Sequence, residues 1–232
     1  MTESIPTPPL ACSRQLLVVT AADWASPTAT LQRYARDEPT ACWRAYGAAV
    51  TVSLGRNGLA WGCGLHPAPD SDPSAKREGD GKAPAGIFAI TALFGEAEAG
   101  SRFAQSARLP YRCATGDLKC IDDPASRYYN QVVDQREVEA VDWHSHEDMR
   151  RDDERYAIGA VIAHNSACRP EAGSCIFLHV WQAAGVPTAG CTAAALSDVS
   201  EICRWLDAAA HPLLVQLPRA EYDRYRQDWA LP

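Results

Sequence analysis

The chain of 232 residues contains no run of about 18 or more apolar residues, so it encodes no membrane-spanning helix. It contains no lysine and arginine block either. With 22 basic against 29 acidic residues and a net charge of −7, it lacks the basic patch that a nucleic-acid partner requires. The start, Met1 to Pro9, is polar and proline-rich, without the basic and apolar stretches of a signal peptide. Leu10-Ala11-Cys12 is a poor match to the end of a lipoprotein signal, because Pro9 precedes it and no apolar run does. Three catalytic signatures are also missing. Without His-Glu-x-x-His or Cys-x-x-Cys, a zinc site built from His144, His146, Cys63, His66 and His164 has no standard spacing. Without Gly-x-Ser-x-Gly, a serine hydrolase of the nucleophile-elbow type is disfavoured. No internal repeat is present, and neither a metal nor a cofactor is expected.

What is present is abundant cysteine: Cys12, Cys42, Cys63, Cys113, Cys120, Cys168, Cys175, Cys191 and Cys203. Such density favours disulfides in an oxidising compartment, the periplasm or cell envelope, over buried free thiols in a reducing one. The equal spacings 113/120 and 168/175 each suit a short disulfide-closed loop, and Cys42 and Cys63 suit a bridge between neighbouring strands. One nucleophile plus eight half-cystines accounts for the odd total, although eight cysteines permit many connectivities. The absent export signal leaves two routes open. Either a leader has been removed, or the protein is delivered otherwise, as an effector entering a rival's periplasm would be.

An apolar content of 47% and a charged content of 22% are ordinary for a globular domain. The expected organisation is a disordered or processed segment over 1–12 and a single domain over 13–232. Strands are predicted over Leu16–Thr20, Gly86–Ile90, Ile158–His164, Cys175–Val180 and Leu213–Leu217. A hairpin is predicted from Ala48–Leu54 through the Asn57-Gly58 turn to Leu59–Gly62. Leu31 and Tyr34 at helical spacing behind Ser26 predict a helix over Pro27–Arg36. Ser197–Ala209 is amphipathic, with Ile202, Trp205 and Leu206 on one face, and Glu221–Trp229 suits a short terminal helix. His66–Gly81 reads as a surface loop. The stretch from about 95 to 155 reads as irregular, with a short helix near His146–Tyr156. Many short strands and few helices predict a mostly-β fold, a curved sheet or sandwich with a few peripheral helices.

The most informative segment is Cys175-Ile176-Phe177-Leu178-His179-Val180-Trp181 followed by Pro187-Thr188-Ala189-Gly190-Cys191. A β-branched and aromatic run ends in a histidine, and a cysteine follows twelve residues later behind a glycine. Cysteine is a strong nucleophile only as a thiolate, so an adjacent imidazole is the partner it needs. Gly190 lets the backbone approach a substrate with no Cβ in the way. The bland alternative is a buried strand with a core histidine and a half-cystine or buried thiol. The segment resembles the active-site stretch of the L,D-transpeptidase (YkuD-type) catalytic domain family, and more narrowly its divergent branch with a Thr-Ala-Gly-Cys motif. Gly79-Asp80-Gly81-Lys82-Ala83-Pro84-Ala85-Gly86-Ile87-Phe88 is similar to that family's Lys-Thr-Pro-x-Gly-x-Phe strand, with Ala83 where threonine is usual. Gly55 to Gly62, Cys120 to Asn130, and Met149 to Asp153 with His164-Asn165 resemble further blocks, so the likeness runs over roughly 45–215. The better-known branch has a hydrophobic residue and an arginine after its cysteine; here Thr192 and Ala193 follow, so that branch's substrate contacts do not carry over.

The resemblance implies a β-rich fold with the catalytic cysteine at a sheet edge beside a cleft. It also implies a two-step acyl transfer on a peptidoglycan stem peptide. His179 takes the thiol proton of Cys191, Cys191 attacks a peptide carbonyl, and the N–H of Cys191, helped by Gly190 or a neighbour, stabilises the oxyanion. An amine acceptor gives a cross-link or an exchanged D-amino acid; water gives a carboxypeptidase or endopeptidase. A non-catalytic cell-wall binding protein is the reading of a different class. A backbone carbonyl often orients the histidine in this family; Asp198 and Asp153 are the side-chain candidates for that role. Stem peptides carry both a carboxylate and an amine. Arg127, Arg150 and Arg151 are candidates for the carboxylate. Tyr128, Asn130, His164, Asn165 and Thr188 are candidates for hydrogen bonds, and Trp181 for a cleft wall. Each arginine also reads as a surface ion pair, and Trp181 as core packing. The oligomeric state is not legible.

Overall fold

The computed structural model describes residues 9–67 and 75–232. The chain opens with β1 (Gln15–Ala21), β2 (Thr28–Ala35), β3 (Arg44–Ser53), β4 (Leu59–Trp61) and the long β5 (Ala83–Gly95). A short helix α1 (Arg102–Ser106) leads to β6 (Tyr111–Cys113), β7 (Leu118–Ile121), β8 (Val132–Asp134) and β9 (His146–Asp148). After a 3-10 turn at Glu154–Tyr156 come β10 (Ile158–Ile162), β11 (Phe177–Val180), β12 (Thr192–Ala194), α2 (Leu196–Trp205), β13 (Leu213–Pro218) and α3 (Arg219–Tyr225).

The strand order β10–β11–β12–β3–β2–β1–β13–β5 returns to β10 through a β5–β10 pairing. The expected curved, mostly-β sheet therefore closes on itself as a barrel, and closure removes the free edges that an open sheet would expose. β5 makes this possible by its length. Gly86–Ala89 pairs with β13 and Ile90–Gly95 with β10, and a register shift at Val161/Ile162 absorbs the bend. β4 and β6 add to β5 in parallel. β1 and β13 also pair in parallel, and both are almost wholly buried, which explains their unbroken apolar runs Leu16-Leu17-Val18-Val19 and Leu213-Leu214-Val215. α2 contributes Val199, Ile202 and Cys203 to the same core as Leu178 and Val180 of β11.

A second layer, the three-stranded sheet β8–β7–β9, lies against the barrel. Leu118, Cys120 and Met149 from its side meet Phe94, Tyr156, Phe177, Cys175 and Cys191 in a separate apolar cluster. Phe94, Tyr156 and Phe177 make three edge-to-face contacts at 5.1–5.6 Å between centroids, each contributing about 0.5–1.5 kcal/mol beyond burial. The Cys120–Cys175 disulfide ties the small sheet to the start of β11.

Several sequence expectations are corrected. Pro27–Arg36 is not a helix: β2 alternates exposed and buried residues, with Ala29, Leu31 and Arg33 turned inward, and its ladders to β1 and β3 outweigh the Leu31/Tyr34 spacing. The hairpin does not form. The turn is present, with Gly58 N–H on Gly55 O at 2.8 Å, but Leu59–Trp61 pairs with Ala83–Ala85 instead of β3. Gly58 sits at φ +77°, and a Cβ there would meet Trp24 O at 2.1 Å. His146–Tyr156 is not a helix but β9, a connection, and a 3-10 turn capped by Asp153, whose carboxylate accepts from the Arg155 N–H. Neither short disulfide loop exists. Cys120 and Cys175, taken from different expected pairs, join each other, and Cys42, Cys63, Cys113 and Cys168 are free thiols. Leu10 is buried in the core, and Arg36 donates to the Leu10 and Ser13 carbonyls, so the domain begins before residue 13. Residues 1–8 of the expected N-terminal segment, and 68–74 of the expected 66–81 loop, lie outside the described residues.

The disulfide closes a long loop, so Cys120→Ser is expected to lower stability by about 2–4 kcal/mol, read as a fall in the urea midpoint. Non-reducing peptide mapping should find Cys120 linked to Cys175, and neither 113–120 nor 168–175.

Candidate active site

The site is built by two parallel strands. In β11, Leu178 and Val180 enter the large core, while Phe177 belongs to the second cluster and His179 packs edge-on against Tyr156, 5.2 Å between ring centres. β12 pairs with β11 so that His179 faces Ala193. Cys191, just before β12, therefore falls beside Phe177, on the face that carries His179. The thiol is held there: Phe177 N–H donates to Sγ at 3.3 Å, and Sγ donates to the Cys175 carbonyl at 3.4 Å. β12 is bonded on both sides, to β11 and β3, so Cys191 stands at the end of an internal strand, not on the expected sheet edge.

The corner before β11 is set by Asn130. Cys175 has φ +53°, and its N–H donates to Asn130 Oδ1 at 3.0 Å. The Asn130 amide in turn donates to the His164 and Asn165 carbonyls. Thr188 fixes the turn before Cys191, because its hydroxyl donates to Cys191 O at 2.6 Å and accepts from Gly190 N–H at 3.1 Å. The Gly190 N–H is thus engaged, which leaves it unavailable to an oxyanion in this arrangement. The glycine still matters for space: a Cβ would stand 3.0 Å from Lys82 O and 3.8 Å from Lys76 Nζ.

A cavity of about 380 Å³ opens on Cys191 and His179, within the usual range for small-ligand sites. Its wall includes Tyr156, Trp181, Thr188, Arg151, Arg155 and Glu147. His179 Nδ1 lies 2.8 Å from the Val180 carbonyl, which can only accept, so the neutral ring carries its proton on Nδ1 and leaves Nε2 unprotonated, with the Arg155 backbone also close to the ring. Orientation by a backbone carbonyl leaves no role here for Asp153 or Asp198. Asp153 is bound to Arg151 and Arg155, and Asp198 lies in the first turn of α2. Burial pushes the His179 imidazole down to about 4 and the Cys191 thiol up to about 12, the charge of Glu147 adding to the latter. The resting pair is consequently thiol and neutral imidazole, without a hydrogen bond between them.

Of the residues singled out from sequence, Cys191, His179, Trp181, Arg151 and Thr188 line this cavity. Arg127 and Tyr128 stand elsewhere, Arg127 against Glu139 and Asp142, and Tyr128 edge-on to Trp143. His164 and Asn165 are buried under the loop that leads to Cys175. His164 accepts from Cys63 N–H, and the Asn165 amide donates to the Arg169 and Gly173 carbonyls. Arg150 lines a separate depression with Lys119 and Asp152. Among the described residues no group of three or more His, Cys, Asp or Glu is placed to hold a metal. Glu147, Tyr156 and Arg155 went unnoticed in the sequence. They lie in the stretch read as irregular, where three-residue strands leave no periodic signal. No family model, no curated protein and no solved structure matches this chain.

With the thiol raised, alkylation of Cys191 by iodoacetamide should keep accelerating about tenfold per pH unit beyond pH 9, with no plateau between 6 and 8. Peptide mass spectrometry of Cys191 across pH 6–11 measures this; a plateau near neutrality would contradict the buried-thiol geometry.

Proposed function

We propose that the protein is a cysteine-dependent peptidoglycan acyltransferase of the L,D-transpeptidase kind. The observation that carries this reading is a free thiol and a carbonyl-oriented imidazole on one face of two paired strands, opening on a shared cavity. In the proposed mechanism the substrate carbonyl enters between them. The thiol proton passes from Sγ to His179 Nε2 as sulfur attacks, and the tetrahedral oxyanion turns toward backbone N–H groups at the β12 start. His179 then protonates the leaving amine, and a thioester on Cys191 remains. Burial opposes charging either group alone, but a proton moved from thiol to imidazole makes neighbouring opposite charges whose attraction offsets part of that penalty. Catalytic hydrogen bonds that are loose in a free enzyme commonly tighten when substrate binds.

Arg151 and Arg155 share the single carboxylate of Asp153, so together they keep a net positive charge for a stem carboxylate, and Trp181 supplies an apolar wall. An amine acceptor resolves the thioester into a cross-link or an exchanged D-amino acid. Water in its place makes the same site an L,D-carboxypeptidase or endopeptidase, the activity that an antibacterial effector would use. The Cys120–Cys175 disulfide supports the periplasm or cell envelope as the working compartment.

Incubation of purified disaccharide-peptides with the wild type, Cys191→Ala and His179→Ala, followed by mass spectrometry, tests the proposal. Cross-linked or exchanged species should form with the wild type, be absent with Cys191→Ala, and fall about 10²–10⁴-fold with His179→Ala. Shortened stems alone would make the enzyme a peptidase. Unchanged tri-, tetra- and pentapeptide stems would sink both activities and leave a wall-binding role for the fold.

A further inference from the structure

The charged residues around the nucleophile's cavity are matched in ion pairs, with one exception. Arg151 and Arg155 both engage Asp153, through Nε at 3.0 and 2.7 Å respectively. Asp148 engages Lys119 and His146. Glu147, between His146 and Asp148 on β9, forms no ion pair among the described residues. Residues 68–74, which contain no lysine or arginine, offer it no side-chain cation. Its neighbours on the strand are exposed, whereas Glu147 is turned inward and partly buried. One carboxylate oxygen accepts from the Tyr156 hydroxyl, which is the only hydrogen bond to its side chain among the described residues. A desolvated carboxylate is costly unless something returns the lost solvation, and among the described residues the Tyr156 hydroxyl does so by a hydrogen bond and Arg151 only from a distance.

We infer that Glu147 recognises a cationic group, an ammonium or guanidinium, on the molecule held against Cys191. The inference rests on the reading of Cys191 as a nucleophile and adds the charge of its substrate. Charges of both signs act on the group. Asp122 and Glu78 add negative charge toward Glu147; Arg151 opposes them, but its guanidinium lies over the Tyr156 ring and is bound to Asp153. Tyr156 and His179 face the group as neutral side chains. Burial, with Asp122 and Glu78 adding to it, holds the Glu147 carboxyl above its ordinary range, and a bound cation reverses that cost. The same event activates the nucleophile. The Glu147 charge disfavours a thiolate on Cys191, so a ligand cation that neutralises it makes the thiol easier to ionise.

The experiment compares methanethiosulfonate reagents that differ in charge: 2-aminoethyl (cationic), methyl (neutral) and 2-sulfonatoethyl (anionic). Rates of labelling at Cys191 are read by peptide mass spectrometry on the wild type and on Glu147→Gln. Dividing the cationic by the neutral rate cancels differences in thiolate fraction. That ratio should be about tenfold higher in the wild type than in Glu147→Gln, while Glu147→Asp retains part of the preference. Equal ratios, with Cys191 labelled in both proteins, would overturn the inference and leave the nucleophile reading standing. A Cys191 that no reagent labels would overturn both. Should Glu147→Gln fold poorly, the exposed Cys42 of the wild type is the internal standard. The cationic-to-anionic ratio must then be higher at Cys191 than at Cys42, and equality overturns the inference.

Discussion

The parallel pairing of Phe177–Val180 with Thr192–Ala194 is the constraint on which the site depends. Side chains alternate along a strand, so a shift of one residue in this ladder would send the thiol or the imidazole into the barrel core. The register is held from both ends. Upstream, Cys175 takes a left-handed backbone conformation, stapled by Cys120 and by the Asn130 side chain. Downstream, Thr188 bonds across the turn to Cys191 and Gly190. These interactions are local and polar, and each fixes a backbone position more than it adds stability.

The second apolar cluster has a different effect. By covering the outer face of β11 with a small sheet, it places Cys191 and His179 in surroundings poor in water. There the neutral forms are favoured, which is why the resting imidazole and thiol both stay uncharged at neutral pH. The same layer brings Glu147 and Tyr156 within reach of the nucleophile. The barrel supplies the thiol and the imidazole; the added sheet supplies the electrostatic setting.

The strand carrying His179 was legible because its β-branched and aromatic run, its histidine and the glycine before Cys191 are contiguous in sequence. β1, β10 and β13 were legible for the same reason, as unbroken apolar runs. β2 was not. Leu31 and Tyr34 fit a helical period and Ala29, Leu31 and Arg33 fit a strand period, and eight residues are too few to separate the two without the flanking strands. Cysteine spacing misled because it measures distance along the chain, whereas the bridge joins β7 to the corner before β11, elements brought together only by the tertiary fold. Glu147 was hidden likewise. His-Glu-Asp is an ordinary solvated triplet until the sheet turns its middle residue toward the thiol.

The ladder between β1 and β13 has a consequence in time. Leu16 lies against Leu213 and Ala21 against Pro218, so the first strand has no permanent neighbour on one side until residues 213–218 have been made. Contacts this distant in sequence are slow to form, because the intervening chain must give up its freedom before any of them can hold. The β1–β13 seam is therefore a late step in closing the barrel during synthesis, and the core that Leu16–Val19 and Leu213–Val215 share stays incomplete until then.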